Sequence, residues 1–424
     1  METEPGTMAT TLKDEKGPSH KRQSSSDKIV SLLHKLPQLG EIFELHYKVG
    51  EGTFSNVYLA TFREVPKAKF AVKHLIPTCH PSRVIRELKC MQEIGGVDNV
   101  VGIYMCLRMN DCITFVMPYQ HHDKFTSYLY DMDIDEIRLY IRELCVALRR
   151  VHSFGVIHRD VKPGNFLYNR AKRKFLLVDF GLAQKVGEWS TDSSKKRKRC
   201  SEGENKEPAE VQEQNAKRIC LKERPSEIKR APLHACNENI SFIRSFSQVC
   251  KEARPNLTNR CECDRKARVC NTCLSRKGGS APRAGTPGFR APEVLLKSHD
   301  QTTAVDMWAV GVILLCLLSR TYPFFRAPDD VTALAEMITV FGSEEIKSIA
   351  TKLGRHVVCS ETCKPLDLRE ACKFLRERRR RISNPVDIDI PDEAFSLLYR
   401  LLDLDHTSRI TAEETLSHPF LAKP

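Results

Sequence analysis

Apolar positions along this chain recur with two periods, one of strands and one of helices. An apolar stretch ending at Val49 and another at Val57-Tyr58-Leu59-Ala60 read as two strands joined by the glycine-rich hairpin Gly50-Glu51-Gly52-Thr53-Phe54-Ser55-Asn56. A third β-like run covers Phe70 to Leu75, and Phe175-Leu176-Leu177-Val178 is strand-like again. Arg83 to Met91 has helical apolar spacing. The longest apolar run, Trp308 to Leu318, falls short of the ~20 residues that cross a bilayer and predicts a buried helix. Cys145 and Cys316 sit inside apolar helical patterns and read as small core residues.

Two segments break these patterns. Residues 1–38 are rich in Ser, Lys and Glu and are expected to be disordered. Residues 182–281 show little periodic hydrophobicity and hold 8 of the 17 cysteines. They carry 22 Lys and Arg against 13 Asp and Glu, a net +9 of the chain's formal +13. The basic character therefore belongs to this segment, and overall charge is no argument for nucleic-acid binding. The N-terminus has no apolar signal region, so secretion is not expected and the thiols should be mainly reduced. With 424 residues, 41% of them hydrophobic, the chain is long enough for one large core or two lobes.

Against that framework, His158-Arg159-Asp160-Val161-Lys162-Pro163-Gly164-Asn165 carries the chemistry. Asp160 has the character of a general base for a hydroxyl nucleophile. Asn165, five residues on, can turn back to hold a metal ion, and Lys162 can neutralise charge on a phosphoryl group in transfer. The glycine hairpin would let backbone N–H groups approach the phosphates of ATP, although Ser55 stands where a third glycine would complete the pattern; alone it also reads as an ordinary turn. Lys73, in Ala71-Val72-Lys73, can reach the α- and β-phosphates, with Glu87 of the helical segment as its natural ion-pair partner. Asp179-Phe180-Gly181 supplies a metal-binding carboxylate on a glycine hinge, and Gly285 to Glu293 closes the set.

With these motifs in chain order the sequence resembles the eukaryotic protein kinases, and Lys162 and Thr286 point to those acting on serine and threonine. The resemblance implies an α+β, two-lobed fold: a small antiparallel β lobe with one helix, about residues 39–118, and a larger, mainly helical lobe, about 119–424. The activation segment is interrupted by the insertion 182–281. It implies ATP and Mg²⁺ as cofactors. Gly50, Glu51, Gly52, Thr53, Phe54, Ser55, Val57, Ala71, Lys73, Glu87, Met117, Pro118 and Tyr119 line the nucleotide site, and Asp160, Lys162, Asn165 and Asp179 do the chemistry. Asp306 would brace the catalytic loop, Glu293 and Arg409 would anchor the activation segment, and His158, Phe180 and Met91 would pack as a spine.

Cys261-x-Cys263 with Cys270-x2-Cys273 has the ligand spacing of a closed, structural Zn²⁺ site, the reading favoured over unconnected thiols. Residues 195–199, an unbroken Lys-Lys-Arg-Lys-Arg, read as a nuclear import signal or as a solvated charge run. The insertion, the cysteine pattern and Pro282 to Arg290 together resemble the cell-division-cycle-seven kinases, from about Pro37 to Phe420. Residues 185–258 and a short connector at 376–390 depart from them. That resemblance implies a Dbf-four-type activator, the minichromosome maintenance helicase as substrate, a role in S-phase replication and a nuclear location, without membrane or sequence-specific nucleic-acid binding. Arg283 and Arg290, flanking Thr286, would select acidic residues after the phosphoacceptor, unless Arg290 pairs within its own domain. The rival readings are a constitutive casein-kinase-like enzyme, a pseudokinase scaffold and a zinc-dependent nucleic-acid module.

Overall fold

The computed structural model describes residues 25–52, 55–76, 81–187, 285–359, 361–380 and 388–422. The chain forms two compact units, one built from residues up to Thr78 with Leu107–Tyr119, the other from Cys79–Cys106 with Gln120–Pro424. Thr53, Phe54, Arg283, the basic run at 195–199 and Cys261, Cys263, Cys270 and Cys273 lie outside the described residues.

The smaller unit begins earlier than the sequence suggests. Residues 25–38, expected to be disordered, include helix α1 (Ser25–Lys35) and lead into helix α2 (Pro37–Ile42). Asp27 in the first turn of α1 and His34 and Lys35 in its last complement the helix dipole. Pro37 starts α2 where no backbone donor is needed. Leu32, Leu36 and Leu39 are buried, so this polar-looking stretch carries an apolar face that composition alone conceals. A five-stranded antiparallel sheet follows, β1 (Phe43–Gly52), β2 (Ser55–Phe62), β3 (Lys69–Leu75), β4 (Met105–Met109) and β5 (Cys112–Pro118), in the order β1-β2-β3-β5-β4. Alternation along the strands puts Val57, Ala71, Lys73 and Met117 on one face and Tyr58, Val72, His74 and Val116 on the other.

The larger unit is mainly helical. Helix α3 (Pro81–Glu93) belongs with it and packs on the turn Phe180–Leu182. Helix α5 (Ile134–Ser153) follows the short α4 (Phe125–Tyr128) and is capped by Asp133, whose carboxylate accepts from the backbone N–H of Glu136. Its buried Tyr140 meets Phe166, Tyr168 and Phe175, and the last two rings stack 4.4 Å apart. After the 292–295 turn of helix α6 (Pro292–Leu295) comes α7 (Ala304–Ser319), buried at every position, as the long apolar run predicts. A Cβ on Gly311 of α7 would lie 2.7 Å from the Leu402 side chain, so the glycine permits close helix packing. Cys145 and Cys316 are fully buried, and burial pushes the Cys316 thiol up to about 12, consistent with core packing.

Leu182 to Gly187, expected to open the insertion, belong to the folded body. Ala183 and Gln184 are buried, and strand β9 (Gln184–Lys185) pairs with β6 (Val156–Ile157), beside the hairpin of β7 (Phe166–Asn169) and β8 (Lys174–Leu177). The backbone hydrogen bonds of that pairing hold the segment. No helix among the described residues is long and apolar enough to cross a membrane.

Candidate active site

The larger unit builds its chemistry around the turn after β6. The carboxylate of Asp306, at the start of α7, accepts the backbone N–H groups of His158 at Oδ2 and Arg159 at Oδ1, both at 2.8 Å, and pairs with His152 Nε2 at 2.9 Å. Burial would push the Asp306 carboxyl up; the bond and charge of His152, the charge of His158 and the Arg159 N–H outweigh it and hold it below the usual aspartate range. Arg159 takes a left-handed backbone, φ +70°, which a residue without glycine's freedom adopts only when its surroundings fix it.

Next in the chain, Asp160 is the centre of a four-residue network. Its Oδ1 accepts the Thr286 hydroxyl at 2.8 Å; its Oδ2 accepts Lys162 Nζ at 2.8 Å and Asn165 Nδ2 at 2.9 Å. Lys162 also donates to Thr286 Oγ1 at 2.8 Å. Asn165 Nδ2 further bonds the Asp160 carbonyl, which turns its amide oxygen the other way. The backbone of Val178 donates to Asn165 O, leading directly to Asp179, whose φ is +70° and whose carboxylate accepts the Gly181 N–H. His158 and Phe180 are buried in edge-to-face contact with ring centroids 5.0 Å apart, and Met91 is buried on α3. Glu87 is buried too; a Cβ on Gly181 would stand 3.4 Å from its carboxylate, which places Glu87 beside the Asp179 turn.

The smaller unit presents the other residues expected at a nucleotide. Lys73 is buried on β3 and faces Val57 and Phe115 in the neighbouring strands; Ala71 pairs with Met117, and Pro118 and Tyr119 follow. Gly50 and Glu51 lie opposite Val57 and Asn56 in the β1–β2 hairpin that Gly52 and Ser55 close. A Cβ at Gly50 would make only ordinary contacts with Val57, at 3.5 Å or more, so packing within the chain does not explain the glycine. The backbone there has room for a phosphate to approach, the role the sequence expects of it. For Mg²⁺, the Asp179 carboxylate and the Asn165 amide oxygen are hard-oxygen donors of the type it takes and would hold it. Both groups fit the residues present. Among the described residues no group of three or more His, Cys, Asp or Glu is arranged to hold a metal ion.

The activation segment re-enters at Gly285, φ +106°, where a Cβ would stand 2.5 Å from Arg159 O and only glycine fits. Arg290 pairs with Asp330 and donates Nε to Gly285 O at 3.0 Å, the internal pairing that the sequence left open. Glu293 and Arg409 form a bidentate pair at 2.8 and 3.1 Å with side chains 1% and 0% exposed. Sequence reasoning gave no role to His152, Gln184, Gln301 or Asp330. Gln184 follows Asp179 by five positions, but Gln301 and Asp330 carry no motif.

Comparison with known proteins agrees with this geometry. The chain matches the protein kinase domain over residues 43–204 and 269–421. It is 36% identical to the cell division cycle 7-related protein kinase of Homo sapiens across 92% of each chain. It is 35% identical to the serine/threonine protein kinase Cdc7 of Drosophila melanogaster, across 94% of this chain and 77% of the fly protein. A probable cell division control protein 7 homolog of Encephalitozoon cuniculi is 34% identical across 88% and 90%. With the Asp160 network, the Asp179 turn and the Glu293–Arg409 pair set on either side of a long insertion, the chain belongs to the Cdc7 family of serine/threonine protein kinases.

Proposed function

We propose that this kinase is the catalytic subunit of an S-phase enzyme that phosphorylates serine and threonine in acidic contexts on the minichromosome maintenance helicase. The observation that carries the catalytic part is the Asp160 carboxylate, held at once by Thr286, Lys162 and Asn165. Asp160 accepts the proton of the substrate hydroxyl, and Lys162, already beside it, offsets charge on the phosphoryl oxygens. Lys73 and the backbone of the Gly50–Gly52 hairpin bind and orient the nucleotide, while Asp179 and Asn165 hold Mg²⁺. When bound, ATP and Mg²⁺ supply the phosphoryl group and neutralise its charge; catalysis by the chain itself is positioning and electrostatics.

The cell-cycle assignment rests on kinship, since the relatives are named for cell division or the cell cycle. Because Arg290 is committed to Asp330 and Gly285, the acidic preference falls chiefly to Arg283, with Arg290 shaping the loop. A Dbf-four-type activator completes the active state, Cys261, Cys263, Cys270 and Cys273 hold a structural Zn²⁺, and residues 195–199 direct the protein to the nucleus. The test is radiolabel transfer from ATP to an acidic serine peptide, with and without activator. Transfer that needs the activator and drops with Arg283→Ala supports the proposal. Full activity of the lone chain would identify a constitutive, casein-kinase-like enzyme instead. Zinc analysis of reduced protein and localisation of a variant with alanine at 195–199 test the remaining two assignments.

A further inference from the structure

We propose that Gln184 and Gln301 are positioning residues for phosphoryl transfer: their amide oxygens hold the Arg159 side chain and, through it, the placement of Asp160. Arg159 Nη1 donates to Gln184 Oε1 at 2.5 Å, and Nη2 donates to Gln301 Oε1 at 2.8 Å. All three residues are buried. Neither glutamine belongs to the Asp160 network, and neither lines the nucleotide face.

The reason to assign them a function lies in what they connect. Gln184 pairs through its backbone with Ile157, two residues before Arg159, and its predecessor Ala183 accepts Arg86 of α3 at the carbonyl. On the other side, Gln301 Nε2 donates to Ser298 O, and Ser298 N donates to Glu293 O, the carboxylate-bearing residue paired with Arg409. Arg159 is thus the node at which the metal-binding turn with α3 and the anchored end of the activation segment meet, immediately before the catalytic base. Its left-handed backbone must be enforced by its contacts. Its backbone N–H is fixed by Asp306, and its guanidinium by the two amides.

Neutral acceptors are a chemical choice. Burial lowers the Arg159 pKa to about 10, with Asp306 opposing that shift and Arg86, Arg290 and Arg83 adding to it. The guanidinium therefore stays charged near neutral pH in surroundings that already repel cations. A carboxylate at position 184 would satisfy the same donor and relieve that repulsion. At position 301 it would keep the Arg159 donor but lose the bond to Ser298 O, whereas an apolar isostere at either would remove the acceptor for a buried charged donor.

The experiment compares Gln184→Met and Gln301→Met with Gln184→Glu and Gln301→Glu in the full chain, together with whatever partner gives the wild type its highest turnover. Steady-state phosphorylation of a serine peptide is measured, with kcat normalised to the number of nucleotide-analogue binding sites so that misfolded protein is not counted. Each Met variant should lose about tenfold in kcat while KM for ATP and peptide stays within about twofold. Gln184→Glu should keep at least about half the wild-type kcat, and Gln301→Glu, which keeps the Arg159 bond but loses that to Ser298 O, should fall clearly less than Gln301→Met. Unchanged kcat per binding site in the Met variants would overturn the proposal. So would Glu variants that fall as far as their Met counterparts, because the glutamines would then be packing residues only.

Discussion

Thr286 donates its hydroxyl to Asp160 Oδ1 at 2.8 Å although 126 positions of sequence separate them. The insertion lies between the two, so the Asp160 network is completed by a residue from the far side of a 97-residue stretch, 188–284, outside the described structure. If Asp160 is the base proposed above, the return of the chain at Gly285 becomes a condition for catalysis.

Removing that hydroxyl tests the dependence. Thr286→Val keeps the shape but neither donates to Asp160 nor accepts from Lys162, and kcat should fall about tenfold or more. Thr286→Ser should stay within about threefold of wild type. Steady-state kinetics on a serine peptide reads both, and equal rates for valine and threonine would contradict the network.

The Glu293–Arg409 pair should be the most damaging to break. Both side chains are buried, and Arg409 also donates to Ala304 O and Asp403 O at 2.8 Å. Arg409→Ala or Glu293→Ala leaves a buried charge uncompensated, at a cost of about 3–5 kcal/mol. Chemical denaturation gives the value, and a loss below about 1 kcal/mol would show the pair to be dispensable.

Acid should expose the role of Asp306. Its native pKa is depressed, so its contribution to stability is fully present above the unfolded aspartate value, about 3.9, and is lost as pH falls through the lower native value. The difference in melting temperature between wild type and Asp306→Asn should therefore be largest near neutrality and shrink at acid pH. A gap that stays constant from pH 7 to below pH 3 would refute this.

The N-terminal helices offer a purely structural check. Leu36, between α1 and α2, is fully buried, and Leu36→Ala should destabilise by about 2–5 kcal/mol. If its unfolding midpoint matched wild type, residues 25–38 would contribute nothing to the fold.

The clustering of Asp160, Lys162 and Asn165 was legible because they lie within six positions of one turn, and the structure joins them by hydrogen bonds. The apolar run at Trp308–Leu318 likewise announced a buried helix. Residues 25–38 were misread because Leu32 and Leu36 are diluted among Ser, Lys and His, and composition averages away a narrow apolar face. Gln301 was invisible for another reason. Its role depends on reaching Arg159 across 142 positions, a tertiary relationship with no local signature. Arg290 had two physically reasonable partners, and only the position of Asp330 decided between them.

The most direct test of the central claim is single-turnover transfer of the γ-phosphoryl group from radiolabelled ATP to a serine peptide by wild type and Asp160→Asn, with nucleotide affinity measured in parallel. A positioned general base predicts a fall of about 10²–10⁴ in the transfer rate while ATP affinity is retained. Transfer at the wild-type rate by Asp160→Asn would contradict the assignment of Asp160 and of the network built around it.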